Sequence, residues 1–137
     1  MSYLVKEIVR NFLSVVAGVM AALVIIIPCV IFSWRYSYKD GSIQEDFYIL
    51  TFLISTIGII FGIFLGGYVT AKISTRRDKI HTLITGIILS LLYLASGDFK
   101  LHYFTNKEIL IILMPIPIVL LGGFWGIKSK QKLKKII

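Results

Sequence analysis

Charged residues are absent from most of this chain. Four stretches, residues 11–34, 47–71, 80–97 and 109–127, contain no Asp, Glu, Lys or Arg. A helix needs about 20 mostly apolar residues to cross the hydrocarbon core of a bilayer, and each stretch is close to or above that length. The segments around the stretches are too short to form a soluble domain. The sequence therefore predicts an all-α polytopic membrane protein, a four-transmembrane-helix bundle that forms a single membrane domain over residues 1–137.

The four stretches also lack the groups that most membrane chemistry requires. Ion-coupled transporters and membrane enzymes place acids, bases or metal ligands at membrane depth. The chain has one cysteine, Cys29, so no disulfide forms within it, which excludes quinone-linked thiol oxidation. His81 and His102 are predicted at opposite membrane faces, where they cannot share a metal ion. We expect no catalytic residue, no cofactor and no metal site, and we predict that the protein is not an enzyme.

Basic residues are unevenly distributed among the segments outside the stretches. Lys and Arg in short loops stay on the cytoplasmic side of a membrane. Eleven of the 15 lie in the N-terminal segment, the second connection and the tail at 128–137, and the first and third connections hold only four. Both termini are therefore predicted to be cytoplasmic. The net charge of +8 follows from this topology, and we expect no nucleic-acid partner.

The basic segments are also candidates for contact with anionic lipid headgroups. A lysine close to such a surface contributes about 1 kcal/mol. The candidates are Lys72, Arg76, Arg77, Lys79, Lys128, Lys130, Lys132, Lys134 and Lys135. The predicted location is the cell inner (plasma) membrane. The final residues KKII also match the dilysine signal of eukaryotic proteins, so the endoplasmic reticulum membrane is the alternative.

Small residues recur at helical spacing in three of the stretches. Lipid gives helices no hydrophobic reason to associate, so small residues that allow close approach mark the packing faces. Residues four apart share a helix face, as in the stripe of glycines in the second stretch. The candidate packing residues are Gly18, Ala22, Gly58, Gly62, Gly66, Gly67, Gly122 and Gly126. The stripe serves either packing within the chain, which we favour, or a homo-oligomer interface.

In the first and fourth stretches, the prolines lie in the half opposite to the one that holds most of the small residues. Pro28, Pro115 and Pro117 each remove an amide donor and are predicted to kink their helices. The small residues fall mostly in the cytoplasmic halves, whereas the prolines fall in the outer halves. We therefore expect a bundle that is tight at its cytoplasmic end and splayed or kinked at its outer end.

The second connection carries the most distinctive local pattern in the sequence. The run GGYVTAK at 66–72 ends one span, and His81 and Gly86 open the next after a basic loop. This pattern resembles small four-span prokaryotic membrane proteins of unknown function, which share a GGYxxAK/R…HxxxxG inner hairpin. The chain departs from them at Thr82, where a second small residue is common. The resemblance implies a fold and names no substrate.

These observations lead to one function hypothesis and two alternatives. We favour a non-enzymatic multi-pass membrane protein that acts through helix packing. It would be an accessory subunit of a larger membrane complex or a homo-oligomeric scaffold. The first alternative is a passive pore or holin-like channel, although the spans offer only a few hydroxyls as a polar lining. The second is a small lipid or small-molecule transporter with an outer vestibule between the first and fourth spans.

Overall fold

The structure is a computed structural model that describes residues 3–39, 42–43, 45–75, 78–96 and 106–136. Side chains are described for residues 3–35, 49–75, 78–95 and 109–132. The elements in chain order are α1 (Tyr3–Ser37), β1 (Tyr38–Lys39), β2 (Ser42–Ile43), α2 (Glu45–Ile73), α3 (Asp78–Ser96), α4 (Asn106–Leu113) and α5 (Pro115–Ile136).

Among the residues that the structure describes, four helical segments are long and apolar enough to cross a membrane, which confirms the predicted number. They are Tyr3–Arg35, Ile49–Ile73, Asp78–Ala95 and Ile109–Lys132. The helices run past the uncharged stretches because Lys and Arg are good helix formers and do not end a helix. The segment predicted as a basic tail is accordingly part of α5, which continues to Ile136.

A short antiparallel ladder that was not predicted joins α1 to α2. Tyr38 pairs with Ile43, and Lys39 pairs with Ser42. The sequence signal is the Asp-Gly dipeptide at 40–41, which is typical of two-residue hairpin turns. We call this end of the bundle the β-hairpin end. The opposite end, with the start of α1, the α2–α3 connection and the end of α5, is called the α2–α3 end.

Helices α2 and α3 occupy the middle of an up-and-down bundle. Helix α2 packs against α1, α3 and α5, and α3 packs against α1, α2 and α5. Helices α1 and α5 therefore lie on opposite sides of the α2–α3 pair. The chain thus alternates in direction, as expected for sequential helices joined by short connections.

Among the described residues, the interior is rich in small and hydroxyl-bearing side chains, with Ile63 and Leu89 packed among them, and the surface is rich in large apolar ones. Ala22, Ala71 and Val119 are fully buried. Eight hydroxyls are buried with them, on Ser14, Thr51, Ser55, Thr70, Ser74, Thr82, Thr85 and Ser90. Large side chains on all four long segments are more than half exposed, among them Phe12, Leu53, Leu91 and Leu121. A water-soluble bundle has the opposite distribution, with its large apolar side chains inside.

The glycine stripe of α2 faces α1. A Cβ added at Gly62 would lie 2.9 Å from Ile26 Cγ1 and 3.0 Å from the Ala22 carbonyl oxygen. A Cβ at Gly66 would lie 2.9 Å from the Gly18 carbonyl oxygen. The two backbones approach this closely because α2 has glycine at the crossing and α1 has Gly18 and Ala22 there. The stripe is therefore filled from within the same chain.

A second set of small residues lies between α2 and α5. Gly67 of α2 lies directly against the backbone of Val119, and Gly122 of α5 lies directly against the backbone of Phe64. One turn further along α5, a Cβ at Gly126 would lie 2.6 Å from the Tyr68 carbonyl oxygen. Helix α2 thus has glycine contacts on two faces, one for α1 and one for α5.

The fourth span is interrupted between α4 and α5. The Met114 amide still donates to the Leu110 carbonyl oxygen at 3.0 Å, so helical bonding reaches this residue. Pro115 and Pro117 then supply no amide hydrogen, which interrupts the ladder. Pro28, in contrast, lies inside α1, which continues as one helix from Tyr3 to Ser37.

The bundle opens at the β-hairpin end, although the opening does not involve every helix. Helices α1 and α2 remain joined there, because Ser55 Oγ donates to the Cys29 carbonyl oxygen at 3.0 Å. Ser33 Oγ donates to the Thr51 carbonyl oxygen at 3.4 Å. Helices α1 and α2 are therefore not splayed at this end, since their glycine and hydroxyl contacts extend past Pro28. The gap lies between α1 and α3 instead.

Candidate functional site

A cleft of about 480 Å³ lies between α1 and α3 in the half of the bundle toward the β-hairpin end. Two turns of α1 form one wall, with Leu23, Ile26, Ile27, Val30 and Ile31. Their spacing of three and four residues places them on neighbouring faces of the helix. The wall is therefore continuous and wholly aliphatic.

The other sides of the cleft come from three helices. Leu92 and Tyr93 of α3 form the facing wall, and Pro115 forms one edge where the fourth span is interrupted. The base is formed by Ile63 of α2 and Leu89 of α3, which are 6% and 5% exposed. The walls are much more open, since Ile27 is 50% exposed and Leu92 is 42% exposed. The cleft thus opens sideways from the bundle.

The cleft differs from the predicted vestibule in its neighbouring helices. The prediction placed an opening between the first and fourth spans in the outer half. The structure has an opening in the half toward the β-hairpin end, but α2 and α3 separate α1 from α5. Of the fourth span, Pro115 alone lies among the described residues that line the cleft. Aliphatic side chains that line a cleft have no distinguishing sequence pattern, which is why sequence analysis missed them.

Polar contacts concentrate at the α2–α3 end, where Lys130 of α5 reaches the α2–α3 connection. Lys130 Nζ donates to the Ser74 carbonyl oxygen at 2.5 Å and lies 3.4 Å from Asp78 Oδ1. The Ser74 hydroxyl donates to the same carboxylate oxygen of Asp78. These contacts join α2, α3 and α5. Lys130 was predicted as a headgroup ligand, and the structure places its ammonium group on protein acceptors.

The start of α1 is attached to the same connection. Asn11 Oδ1 accepts from Thr75 Oγ1 at 3.0 Å and from the Thr75 amide at 3.2 Å. Arg10 Nε donates to the Ile73 carbonyl oxygen at 3.1 Å. Together with the contacts of Lys130 they form what we call the polar belt, whose members are Arg10, Asn11, Ser74, Thr75, Asp78 and Lys130. The members thus come from α1, α3, α5 and the α2–α3 connection.

A buried hydroxyl pair lies one to two turns inside the polar belt. Thr70 Oγ1 and Thr85 Oγ1 are 3.0 Å apart and join α2 to α3. Each is also within hydrogen-bond distance of a carbonyl of its own helix, Thr70 of Gly66 and Thr85 of His81. Hydroxyls in helices commonly bond back in this way. The pair has its hydrogen-bonding capacity satisfied within the bundle.

The other predicted headgroup ligands lie around the polar belt. Lys72 Nζ lies 5.4 Å from the ring centroid of Tyr68. Lys128 and Lys132 border a surface groove of about 320 Å³ with Trp125 and Ser129. Lys79 is exposed beside Thr82 at a smaller groove between α3 and α5. Arg76 and Arg77 lie outside the described residues, as do the side chains of Lys134 and Lys135.

No protein-family model, curated protein or solved structure matches the chain.

The resemblance of the inner hairpin to small four-span membrane proteins therefore stays a prediction, and the function is inferred from geometry. Across the described parts of the chain, no three His, Cys, Asp or Glu side chains lie close enough to hold a metal ion. The two features that remain for interpretation are the apolar cleft toward the β-hairpin end and the polar belt at the α2–α3 end.

Proposed function

We propose that the chain is a multi-pass protein of the cell inner membrane. The observation that carries this proposal is the distribution of side chains between interior and surface. Thr70 and Thr85 are fully buried, whereas Phe12 and Leu121 are 68% and 61% exposed. Exposing apolar surface to water costs about 25 cal/mol per Å². Lipid removes that cost, and a lipid environment in turn favours hydroxyls that find partners inside the bundle.

We place both termini on the cytoplasmic side. The start of α1 and the end of α5 lie at the α2–α3 end, together with the polar belt. Lys6, Lys72, Lys79 and Lys128 are exposed at this same end. Because cationic side chains resist translocation, an end with this concentration of Lys and Arg favours the cytoplasm. Anionic headgroups of the cytoplasmic leaflet would be the partners of these exposed lysines.

The proposed role is contact with other helices in the membrane, without catalysis, as an accessory subunit or a homo-oligomeric scaffold. The glycine faces are filled within the chain, so a partner would meet large apolar side chains. Helix α1 offers the most such surface, with only 17% of its membrane window buried, less than in the other three spans. Val16, Met20 and Val24 form an exposed stripe along it at four-residue spacing.

The proposed orientation predicts a definite labelling pattern. In a Cys29→Ala background, Ser42→Cys places a thiol at the β-hairpin end, and Gln131→Cys places one near the end of α5. A membrane-impermeant maleimide should label Ser42→Cys on intact cells and should label Gln131→Cys only after permeabilisation. The reverse pattern would show that the termini are outside, and equal labelling of both sites would indicate dual orientation.

The proposed role predicts a crosslinked species in native membranes. A short photocrosslinker that does not require lysine amines should capture either a second copy or a partner. The double variant Met20→Ala, Val24→Ala should lower the yield of this crosslinked species severalfold. The matched control is Leu53→Ala, Ile57→Ala, which has the same spacing and comparable exposure on α2. A monodisperse monomer in mild detergent, with no crosslinked partner in membranes, would contradict this role.

A further inference from the structure

The dimensions of the apolar cleft match one leaflet of a bilayer. Its α1 wall runs from Leu23 to Ile31, a length of about 12 Å at 1.5 Å per residue. One leaflet of the hydrocarbon core is about 15 Å thick. The wall therefore covers most of the depth of one leaflet, and the cleft follows the direction in which a lipid chain extends.

The size and lining of the cleft favour a flexible apolar chain over other occupants. Its volume of about 480 Å³ is within the range of about 300–1,000 Å³ that small-molecule pockets have. A helix with its side chains is about 10–12 Å across, and a length of helix that matches the α1 wall would occupy roughly twice the volume of the cleft. Apart from Tyr93 the lining is aliphatic and gives water no hydrogen-bond partners. An acyl chain is thin enough for the cleft and needs no hydrogen bonds.

A cationic residue of α1 follows the Ile31 end of the cleft wall. Arg35 is one helical turn beyond Ile31, on the same face of α1 and about 6 Å further along the axis. It is exposed and lies next to Trp34, which is 71% exposed. A guanidinium group binds phosphate oxygens through two parallel hydrogen bonds. Arg35 is therefore placed at the depth where the phosphate of a lipid begins if its chain lies along Ile27 and Ile31.

We propose that this cleft binds one acyl chain of a phospholipid from the leaflet at the β-hairpin end, with Arg35 holding the phosphate. The inference rests on the proposed insertion in a membrane, and it goes beyond that proposal by assigning a specific lipid site. Contact through apolar walls provides the affinity for the chain, and the charge of Arg35 favours an anionic phospholipid over a neutral lipid.

The test is lipid retention by the full-length protein. Protein that has been delipidated in a maltoside detergent is mixed with palmitoyl-oleoyl phosphatidylglycerol, and native mass spectrometry measures the fraction of protein with one bound lipid. Ile27→Trp fills the cleft from α1, and Leu92→Trp fills it from α3. Each should abolish retention of the single lipid. Arg35→Gln should weaken binding about tenfold, which corresponds to about 1.4 kcal/mol.

Matched variants separate the cleft from the rest of the apolar surface. Leu13→Trp and Leu91→Trp add the same side chain at positions that are 54% and 58% exposed and do not line the cleft. Both should retain lipid like the wild type. Helicity and melting temperature of Ile27→Trp and Leu92→Trp should equal those of their controls, which separates filling of the cleft from misfolding.

Three results would overturn the assignment. The first is that the wild-type protein retains no lipid. The second is that the cleft variants retain as much lipid as their controls. The third is that the wild type is a dimer and Ile27→Trp dissociates it. The last would make a second copy the occupant. Carbonate extraction of membranes distinguishes these results from failure of the proposed function. If the protein resists extraction but retains no lipid, only the proposed lipid site is refuted. If the protein is extracted, the proposed insertion in the membrane is refuted as well.

Discussion

Gly122→Ala and Gly67→Ala are expected to be among the most destabilising alanine substitutions in this protein. A Cβ at Gly122 would lie 2.9 Å from the carbonyl carbon of Phe64, and one at Gly67 would lie 2.8 Å from that of Val119. The obstructing atoms belong to helix backbone, which cannot move without separating α2 from α5. Overpacking costs about 1–3 kcal/mol, and a rigid obstruction places both variants at the upper end, near 3 kcal/mol.

The measurement is reversible unfolding in mixed micelles, followed by the loss of helical circular dichroism. Gly86→Ala is the matched control, because its Cβ would lie 3.2 Å from Ile116 Cα and 3.6 Å from Val119 Cβ. Small adjustments relieve such contacts, and alanine favours a helix over glycine by about 1 kcal/mol. Gly86→Ala should therefore stay within about 1 kcal/mol of the wild type.

The two destabilising substitutions should not be additive. Gly67 and Gly122 lie in the same α2–α5 interface, so a separation that accommodates one new methyl group also relieves much of the other clash. The double variant should lose clearly less than the sum of the single losses. Full additivity would mean that the two contacts act independently, and a control as unstable as the variants would mean that the close approach of α2 and α5 is not what limits stability.

The number of spans and the small residues that allow close packing were readable from the sequence. Span number follows from the absence of charge, because a charged side chain is costly in the apolar part of a bilayer. The spacing of Gly58, Gly62 and Gly66 predicted one packing face on α2. The spacing did not identify the helix that packs against this face. Helix α1 fills that face, and only a structure reveals that Gly67 lies on a second face toward α5.

The polar belt and the cleft were not predicted, for different physical reasons. Lys130 and Asp78 are 52 residues apart, so their pairing depends on how α5 lies against α3. In sequence, Lys130 is one of five lysines in a basic segment and has no mark that separates it from Lys128 or Lys132. The cleft arises where α1 and α3 fail to meet. Its lining residues are the same types that face lipid elsewhere, so composition carries no signal for it.

The two ends of the bundle differ in the contacts between their helices. At the α2–α3 end, glycine contacts, the Thr70–Thr85 pair and the polar belt all cross between helices. At the β-hairpin end, α1 and α2 remain joined, but the wall of α1 and the wall of α3 are separated by the cleft.

Breaking the contact of Lys130 with Asp78 is the second substitution from which we expect a large effect. The two side chains are 23% and 20% exposed, so water compensates only partly for a lost partner. Lys130→Gln leaves the Asp78 carboxylate with the Ser74 hydroxyl as its described donor. It also removes the ammonium group from the Ser74 carbonyl oxygen. Hydrogen bonds to charged groups contribute about 1.5–3 kcal/mol each, and we expect a loss of about 2 kcal/mol.

A double-mutant cycle with Asp78→Asn tests whether this loss comes from the pair itself. If Lys130 stabilises the bundle through Asp78, Asp78→Asn should lower the free energy of unfolding clearly less in the Lys130→Gln protein than in the wild type. We expect a coupling energy of about 1 kcal/mol. Lys132→Gln is the control, since Lys132 is exposed two residues further along α5. It should leave the free energy of unfolding unchanged. Equal effects of Lys130→Gln and Lys132→Gln would show that general charge in α5 matters and that the attachment of α5 to the α2–α3 connection does not.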